Sequence, residues 1–308
     1  LSPAPELDRG LVVASHGRHV LVETPEGRQL ICHPRGKKNQ AVVGDRVLWL
    51  ASGDEGSIEK VEQRRNLFHR QDEIRTKSFA ANLDQVLILI AAEPEFSESQ
   101  LARALVAAEA ERIQPLIVLN KSDLAEPFAR AWARLEPYRR MGYAVLPLNL
   151  KAIGSPAELV ALQAQLQDRA TLVLGPSGAG KSTLINRLVP GAQAQTGEIS
   201  TALNSGKHTT TSTRWYWVDG ARQTALIDSP GFQEFGLQHI EAAQLASLMP
   251  DLRVHAGACR FYNCSHLHEP GCGVIAAVDE KSGGTGISPS RYRIYSELHA
   301  ELSQAPRY

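Results

Sequence analysis

Gly175-Pro176-Ser177-Gly178-Ala179-Gly180-Lys181-Ser182 is the stretch that decides the fold. It matches G-x-x-x-x-G-K-[ST], a loop whose glycines let backbone N–H groups converge on phosphate oxygens. The helix that opens behind such a loop adds a favourable dipole. The flanks fit, since Thr171-Leu172-Val173-Leu174 reads as a strand and Thr183-Leu184-Ile185-Asn186-Arg187-Leu188 as a helix. Lys181 suits the β- and γ-phosphates and Ser182 suits Mg2+. Gly175, Ser177, Gly178, Ala179, Gly180 and Thr183 complete the cradle. The loop by itself does not choose between ATP and GTP.

Working outward, Asn120-Lys121-Ser122-Asp123 lies upstream, behind the apolar run Leu116-Ile117-Val118-Leu119. A carboxylate at Asp123 can accept both the N1–H and the 2-amino group of guanine, donors that adenine does not offer. A site built on such pairing rejects the wrong base by about 10⁴–10⁵, because its polar groups would be left unpaired. Asn120, Lys121 and Asp123 are therefore the base-reading candidates. In an ordinary GTPase this motif follows the phosphate loop; here it precedes it, so the chain resembles a circularly permuted GTPase. Permutation can preserve a site because domain termini often lie close together.

Further pieces follow. Asn149-Leu150-Lys151 stands where a segment backs the guanine ring, with backbone support as its expected role. Asp228-Ser229-Pro230-Gly231 fits D-x-x-G, with Asp228 approaching Mg2+ through water and the Gly231 N–H meeting the γ-phosphate. Gly206-Lys207-His208-Thr209-Thr210-Thr211 supplies a second switch, in which Thr210 and Thr211 are both candidates for Mg2+. Many GTPases place Gln after the D-x-x-G glycine to orient the attacking water. Phe232 stands there and cannot hold water, so slow intrinsic hydrolysis is expected. His208 is the catalytic candidate in its place, since a neutral imidazole can accept a proton.

At 308 residues the chain is longer than one core usually serves, so several domains are expected. Residues 1–75 carry five short strand signals at Leu11–Val13, His19–Glu23, Gln29–His33, Val42–Trp49 and Ile58–Val61. Turn signals between them fit a small barrel, read as an OB-fold, with an SH3-like barrel the other candidate. Residues 76–237 alternate strands and helices, which predicts a mostly parallel sheet covered on both faces. Ser97-Glu98-Ser99-Gln100 and Ser155-Pro156-Ala157-Glu158 read as capping boxes within it. Residues 238–308 form a third unit, with a helix at Glu241–Leu248 ended by Pro250 and a final helix at Arg291–Ser303. The Gly/Ser-rich stretch Ser282–Gly286 reads as a mobile loop.

Net formal charge is zero, so gross charge gives no argument for nucleic acid. No apolar stretch approaches the roughly 18 residues of a membrane span. Three of the four cysteines lie within Cys259–Cys272, beside histidines, which favours a metal over disulfides and suits a reducing cytoplasm. Cys259, Cys264, His266 and Cys272 match a closed Cys3His site for one structural Zn2+, with His255 and His268 as alternative ligands.

Taken together, these motifs resemble the bacterial ribosome small subunit-dependent GTPases, the RsgA or YjeQ family, over almost the whole chain. The resemblance implies an α/β fold: a circularly permuted P-loop GTPase domain, an N-terminal OB-fold β-barrel and a C-terminal zinc-binding α-helical domain. It implies GTP hydrolysis with Mg2+, stimulated by the small ribosomal subunit, in a late-stage assembly factor that binds ribosomal RNA near the decoding region and leaves on hydrolysis. It also implies a role for the histidine at 208. The expected partners are that subunit, its RNA and GTP or GDP, with the chain a cytoplasmic monomer away from membranes. A GTPase acting on a different RNA or ribosomal particle is the alternative.

Overall fold

The computed structural model describes residues 7–17, 19–36, 40–71, 76–152, 156–189, 191–192, 213–231, 235–278 and 286–304. Five short strands open the chain: β1 Asp8–His16, β2 His19–Glu23, β3 Gln29–Pro34, β4 Arg46–Ser52 and β5 Glu55–Val61. Alternating side chains along them turn inward, so Val12, Val20, Val22, Leu30, Cys32, Val47, Trp49 and Ile58 share one core. β1 pairs antiparallel with β2 and β4, β2 with β3, and β4 with β5, whereas β3 and β5 run parallel. The order β1-β2-β3-β5-β4 closes back on β1. This five-stranded barrel with its parallel seam is OB-like, which separates it from the antiparallel SH3-like alternative.

A hairpin comes next, β6 Leu67–Gln71 with β7 Thr76–Ala81, that no strand signal announced. The expected boundary between residues 75 and 76 falls inside it. Its apolar anchors find their partner far along the chain: Phe68 and Phe79 lie 5.7 and 6.1 Å from the Phe235 ring. Gln71 also pairs with that segment, donating to Gly236 O at 3.1 Å and accepting from Gln238 N at 3.0 Å.

The central sheet uses β8 Gln85–Ala91, β9 Gln114–Asn120, β10 Ala144–Leu148, β11 Ala170–Leu174, β12 Arg214–Trp217 and β13 Ala225–Asp228. Five of these run parallel in the order β10-β9-β8-β11-β13, and β12 adds antiparallel to β13. Helices α1 Glu98–Ala110, α2 Ala125–Arg134, α3 Glu136–Arg140, α4 Ala157–Leu166 and α5 Lys181–Leu188 cover it. β8 is buried on both faces, which is why its sequence is a continuous apolar run. Ile88 and Ile90 share a cluster with Leu101 and Leu105 of α1, while Leu87 and Leu89 share one with Leu159 of α4 and Leu184 of α5. β12 meets β1 at Ala14 opposite Arg214, so barrel and central sheet form one eleven-stranded sheet.

Two helix starts differ from expectation. Ser97 Oγ accepts from Gln100 N at 3.3 Å, but the return half of the box is absent because Gln100 Oε1 is buried without a partner. α4 begins at Ala157 with Pro156 at its N-cap, not inside its first turn, and Ser155 lies outside the described residues.

The third region holds a 3-10 helix Ala242–Leu248, then α6 Pro250–Ala256, α7 Gly273–Ala276 and α8 Pro289–Leu302. Pro250 therefore opens α6 instead of merely ending the preceding helix. It sits where a helix needs no N–H, and its fixed φ suits the first turn. One buried and one half-buried cation bind this region to the central domain. Arg291, 2% exposed, pairs bidentately with Asp251 at 2.9 and 3.0 Å and lies over the Tyr138 ring of α3. Arg103 of α1 pairs with Glu301 of α8 and donates to Phe235 O at 3.2 Å. The stretch Ser282–Gly286 lies almost wholly outside the described residues. Among the described residues no helix is long and apolar enough to cross a membrane.

Candidate nucleotide site and metal centre

Strand register brings the sequence motifs to one edge of the sheet. Asn120 stands opposite Ala91 and Leu148, Ile88 opposite Leu174, and Asp228 opposite Val173. The loops that leave β8, β9, β10, β11 and β13 thus emerge together at the carboxyl ends, where open α/β sheets bind ligands.

Two glycines make the phosphate loop. A Cβ at Gly175 would sit 2.2 Å from Leu89 O, so only glycine lets β11 pass that close to β8. Gly180 has φ +103° and a Cβ there would press on Asn120 Nδ2 at 2.7 Å. α5 then starts at Lys181, which is 9% exposed and donates to Gly175 O at 2.8 Å and Pro176 O at 3.2 Å. Burial pushes this ammonium below its usual range, with Asp228 partly restoring it.

Asn120 ties three loops together. Its Nδ2 donates to Ala179 O at 2.9 Å, and its Oδ1 accepts from Leu150 N at 3.3 Å. The base-reading and phosphate-loop motifs, separated by tens of residues and inverted in order, are therefore parts of one site. Around it, Lys121 Nζ donates to Glu93 O, and Ser122 N donates to Leu148 O. Asp123 is partly exposed and faces Lys151, Nζ to Oδ2 3.4 Å.

The Asn149-Leu150-Lys151 segment does more than its expected backbone role. Asn149 Oδ1 accepts from Lys151 N and Ala152 N, a local turn that brings the Lys151 ammonium to Asp123. Two further residues carried no sequence signal for this site. Glu158 accepts from Ser122 Oγ at 2.9 Å, and Arg187 donates to Leu150 O at 2.9 Å. By sequence Glu158 is only part of a capping box, and Arg187 only one position in the helical run Thr183–Leu188.

Asp228 ends β13 at 3% exposure, and its Oδ1 is buried without a hydrogen-bond partner among the described residues. Burial pushes its carboxyl up to about 6, with Lys181 opposing the shift. A buried carboxylate oxygen that no donor among the described residues satisfies, beside an ammonium held by carbonyls, fits a divalent cation next to phosphate. Gly231 lies close by, since a Cβ on it would stand 3.2 Å from Lys181 Nζ. His208, Thr210, Thr211 and Phe232 lie outside the described residues.

Cys259, Cys264, His266 and Cys272 converge, their ligand atoms all within 4.8 Å of one another, and the group can hold a metal ion. His255 and His268 are not part of it. Cys259 Sγ lies 3.8 Å from Cys272 Sγ, and His266 Nδ1 lies 3.4 and 3.5 Å from these two sulfurs. A tetrahedral Zn2+ with bonds of about 2.3 Å to sulfur and about 2.0 Å to nitrogen requires edges of about 3.8 and 3.5 Å. The donor set therefore fits zinc in chemistry, and Cys259, His266 and Cys272 fit it in spacing as well. The scaffold around it is polar. Glu269 accepts from Ser265 N at 2.6 Å and from Leu267 N and His268 N, bonds that hold its carboxyl far below the usual range. Tyr295 and Tyr292 of α8 donate to the carbonyls of Ser265 and His266.

Sheet order and loop placement define the class: a P-loop GTPase fold threaded in permuted order, with an OB-like barrel before it and a Cys3His region after it. The sequence matches the RsgA GTPase family over residues 61–238, and the chain belongs to that family. It is 74% identical to the small ribosomal subunit biogenesis GTPase RsgA of Variovorax paradoxus (strain S110) over 299 residues, covering 97% of this chain and 94% of the relative. The protein of the same name from Paraburkholderia phytofirmans is 50% identical, with 97% and 94% covered. Among solved structures, YjeQ from Thermotoga maritima superposes with a TM-score of 0.76 at 29% identity, covering 97% of this chain and 100% of that one. YloQ, described as a circularly permuted GTPase, gives 0.71 at 28%, covering 100% and 99%.

Proposed function

We propose that this chain hydrolyses GTP to GDP and phosphate as a late assembly factor of the small ribosomal subunit, bound to its RNA near the decoding region before hydrolysis and released after it. The relatives' names support substrate and particle, and one observation carries the site: Asn120 donates to Ala179 O at 2.9 Å, so the two motifs share a ligand. In this reading residues 1–75 serve RNA binding, 76–237 nucleotide turnover and 238–308 a zinc-held unit, in a cytoplasmic monomer.

The residue roles follow from chemistry. Asp123 accepts the guanine edge while Asn120 and Lys121 hold the surrounding loops. The phosphate-loop amides and Lys181 bind the β- and γ-phosphates, and the Gly231 N–H meets the γ-phosphate. Mg2+, held by Ser182, Asp228 through water and Thr210 or Thr211, supplies charge neutralisation at the phosphate oxygens when bound. His208 orients or deprotonates the water in place of the glutamine that Phe232 replaces. The four metal ligands leave no open position for a substrate, so Zn2+ is structural.

Release needs a path from the γ-phosphate to the flanking domains. The segment four residues beyond Gly231 offers one, since Phe235 packs on the β6–β7 hairpin and its carbonyl is held by Arg103, which also holds α8. A γ-phosphate that shifts this segment biases both neighbours, and subunit affinity should then differ between the GTP and GDP forms.

GTP turnover measured alone, with small subunits and with large subunits tests the reading. Stimulation by small subunits is expected, with Asp123→Asn exchanging GTP for xanthosine triphosphate. Equal stimulation by large subunits would assign another particle, and no turnover at saturating small subunits would leave only a binding protein. Stimulated turnover unchanged in His208→Ala would remove that histidine from the chemistry.

A further inference from the structure

The loop between the first two metal ligands, Arg260-Phe261-Tyr262-Asn263, turns its side chains outward. Tyr262 is 108% exposed and Phe261 41%, and these neighbours are the two exposed Phe, Tyr or Trp rings among the described residues. The Arg260 guanidinium lies 5.5 Å from the Phe261 ring centroid, so cation and ring occupy one surface. This is not a slack loop. Cys259 and Cys264 fix its two ends at the metal cluster, and Arg260 N donates to Gly271 O at 3.0 Å.

Charge decides what such a tip can meet. From 252 to 268 the sequence contains no Asp or Glu. The acids on either side are occupied: Asp251 in its ion pair with Arg291, and Glu269 by three backbone N–H groups. The loop therefore presents exposed rings and a guanidinium with no carboxylate of its own. A polyanion whose bases are free to stack matches that chemistry, because ring–base stacking is indifferent to sequence and the cation serves the phosphate.

We infer that Arg260–Asn263 is a stacking platform for an unpaired base of single-stranded RNA, with Tyr262 and Phe261 against the base and Arg260 against a neighbouring phosphate. The inference rests on the proposed ribosomal function and deepens it by giving the metal-held loop a contact of its own, apart from the barrel.

The test compares the parent with Tyr262→Ala, Tyr262→Trp and Arg260→Gln, using a short single-stranded oligouridylate and isolated small subunits. The Tyr262 ring has no hydrogen bond or ring partner among the described residues, so thermal midpoint and zinc per chain should not change. Tyr262→Ala should weaken both affinities about tenfold, Tyr262→Trp should retain them, and Arg260→Gln should flatten the salt dependence where Tyr262→Ala does not. Ultraviolet crosslinking of the parent–subunit complex should place an RNA adduct on Phe261 or Tyr262. Unchanged affinity of Tyr262→Ala for both probes overturns the platform, as does a crosslink from this loop to ribosomal protein. If small subunits neither bind nor stimulate the parent, the function fails; loss of oligouridylate binding in Tyr262→Ala would still uphold the platform.

Discussion

The nucleotide site and the metal centre are built on opposite plans. The first draws its residues from the ends of five strands, from Ala91 through Asn120, Leu148 and Leu174 to Asp228, and depends on sheet register for their meeting. The second draws all four donors from Cys259–Cys272, a segment whose only regular element before the last ligand is turn structure. A large two-faced core holds the one, whereas the other rests on the margin of that core through Cys272 and on a few hydrogen bonds around a set of metal donors. Ligands should therefore matter little to the strands of the first, whatever they do to its switch segments, and decisively to the shape of the second.

The sharpest attempt to break that contrast is removal of zinc, by chelation or by Cys264→Ser. Metal binding supplies about 10–16 kcal/mol of folding free energy in zinc-finger peptides. Hydrogen exchange should show protection lost across 257–278, with β8, β9 and β11 unaffected and guanine nucleotide affinity within about threefold of the parent. Retained protection around Cys264 after metal removal would erase the distinction.

A smaller effect probes how the third region stays attached. Asp251→Ala leaves the Arg291 charge buried without its partner, which typically costs about 3–5 kcal/mol. Thermal unfolding should fall accordingly, and Asp251→Leu combined with Arg291→Met should recover most of the loss. A midpoint for Asp251→Ala equal to that of the parent would mean the ion pair does not hold this junction.

The smallest effect belongs to the nucleotide site. Asp228 has its carboxyl raised from 3.8 to about 6, chiefly by burial. Its contribution to nucleotide-free stability is therefore full below about pH 4 and lost as pH rises through about 6. Asp228→Asn should melt a few degrees higher than the parent at about pH 8, the gap closing toward about pH 4. Magnesium and guanine nucleotide should abolish the advantage, because they stabilise the ionised parent. A variant no more stable at alkaline pH would show that Lys181 already compensates the charge.

Much of this architecture was legible because its signals are local. The apolar runs Leu116–Leu119 and Thr171–Leu174 sit inside β9 and β11, because such runs bounded by turns leave little freedom. Spacing marks out Cys259, Cys264, His266 and Cys272 but leaves His255 and His268 as alternatives, which the folded cluster does not include. The β6–β7 hairpin was missed because Leu67-Phe68-His69-Arg70-Gln71 carries a single deeply buried residue, Phe68. Its burial depends on Phe235, which only the folded chain brings near. Pro250 misled because proline stops one helix and starts the next with equal ease. Lys151 was given no side-chain role because its motif is imperfect, although a turn at Asn149 delivers its ammonium to Asp123.

The run of strands has one more consequence, for how the molecule tolerates crowding. An exposed strand is an invitation for another chain to pair with it, and proteins commonly blunt such edges. Here β1 meets β12 at Ala14 opposite Arg214 and is itself enclosed in a barrel, so the barrel covers part of that flank. The opposite edge of this sheet is β10, a strand of five residues that includes Pro147, which brings no N–H to a would-be neighbour. Fusing the barrel to the sheet thus lessens, for an extended β structure, the hazard of templating aggregates.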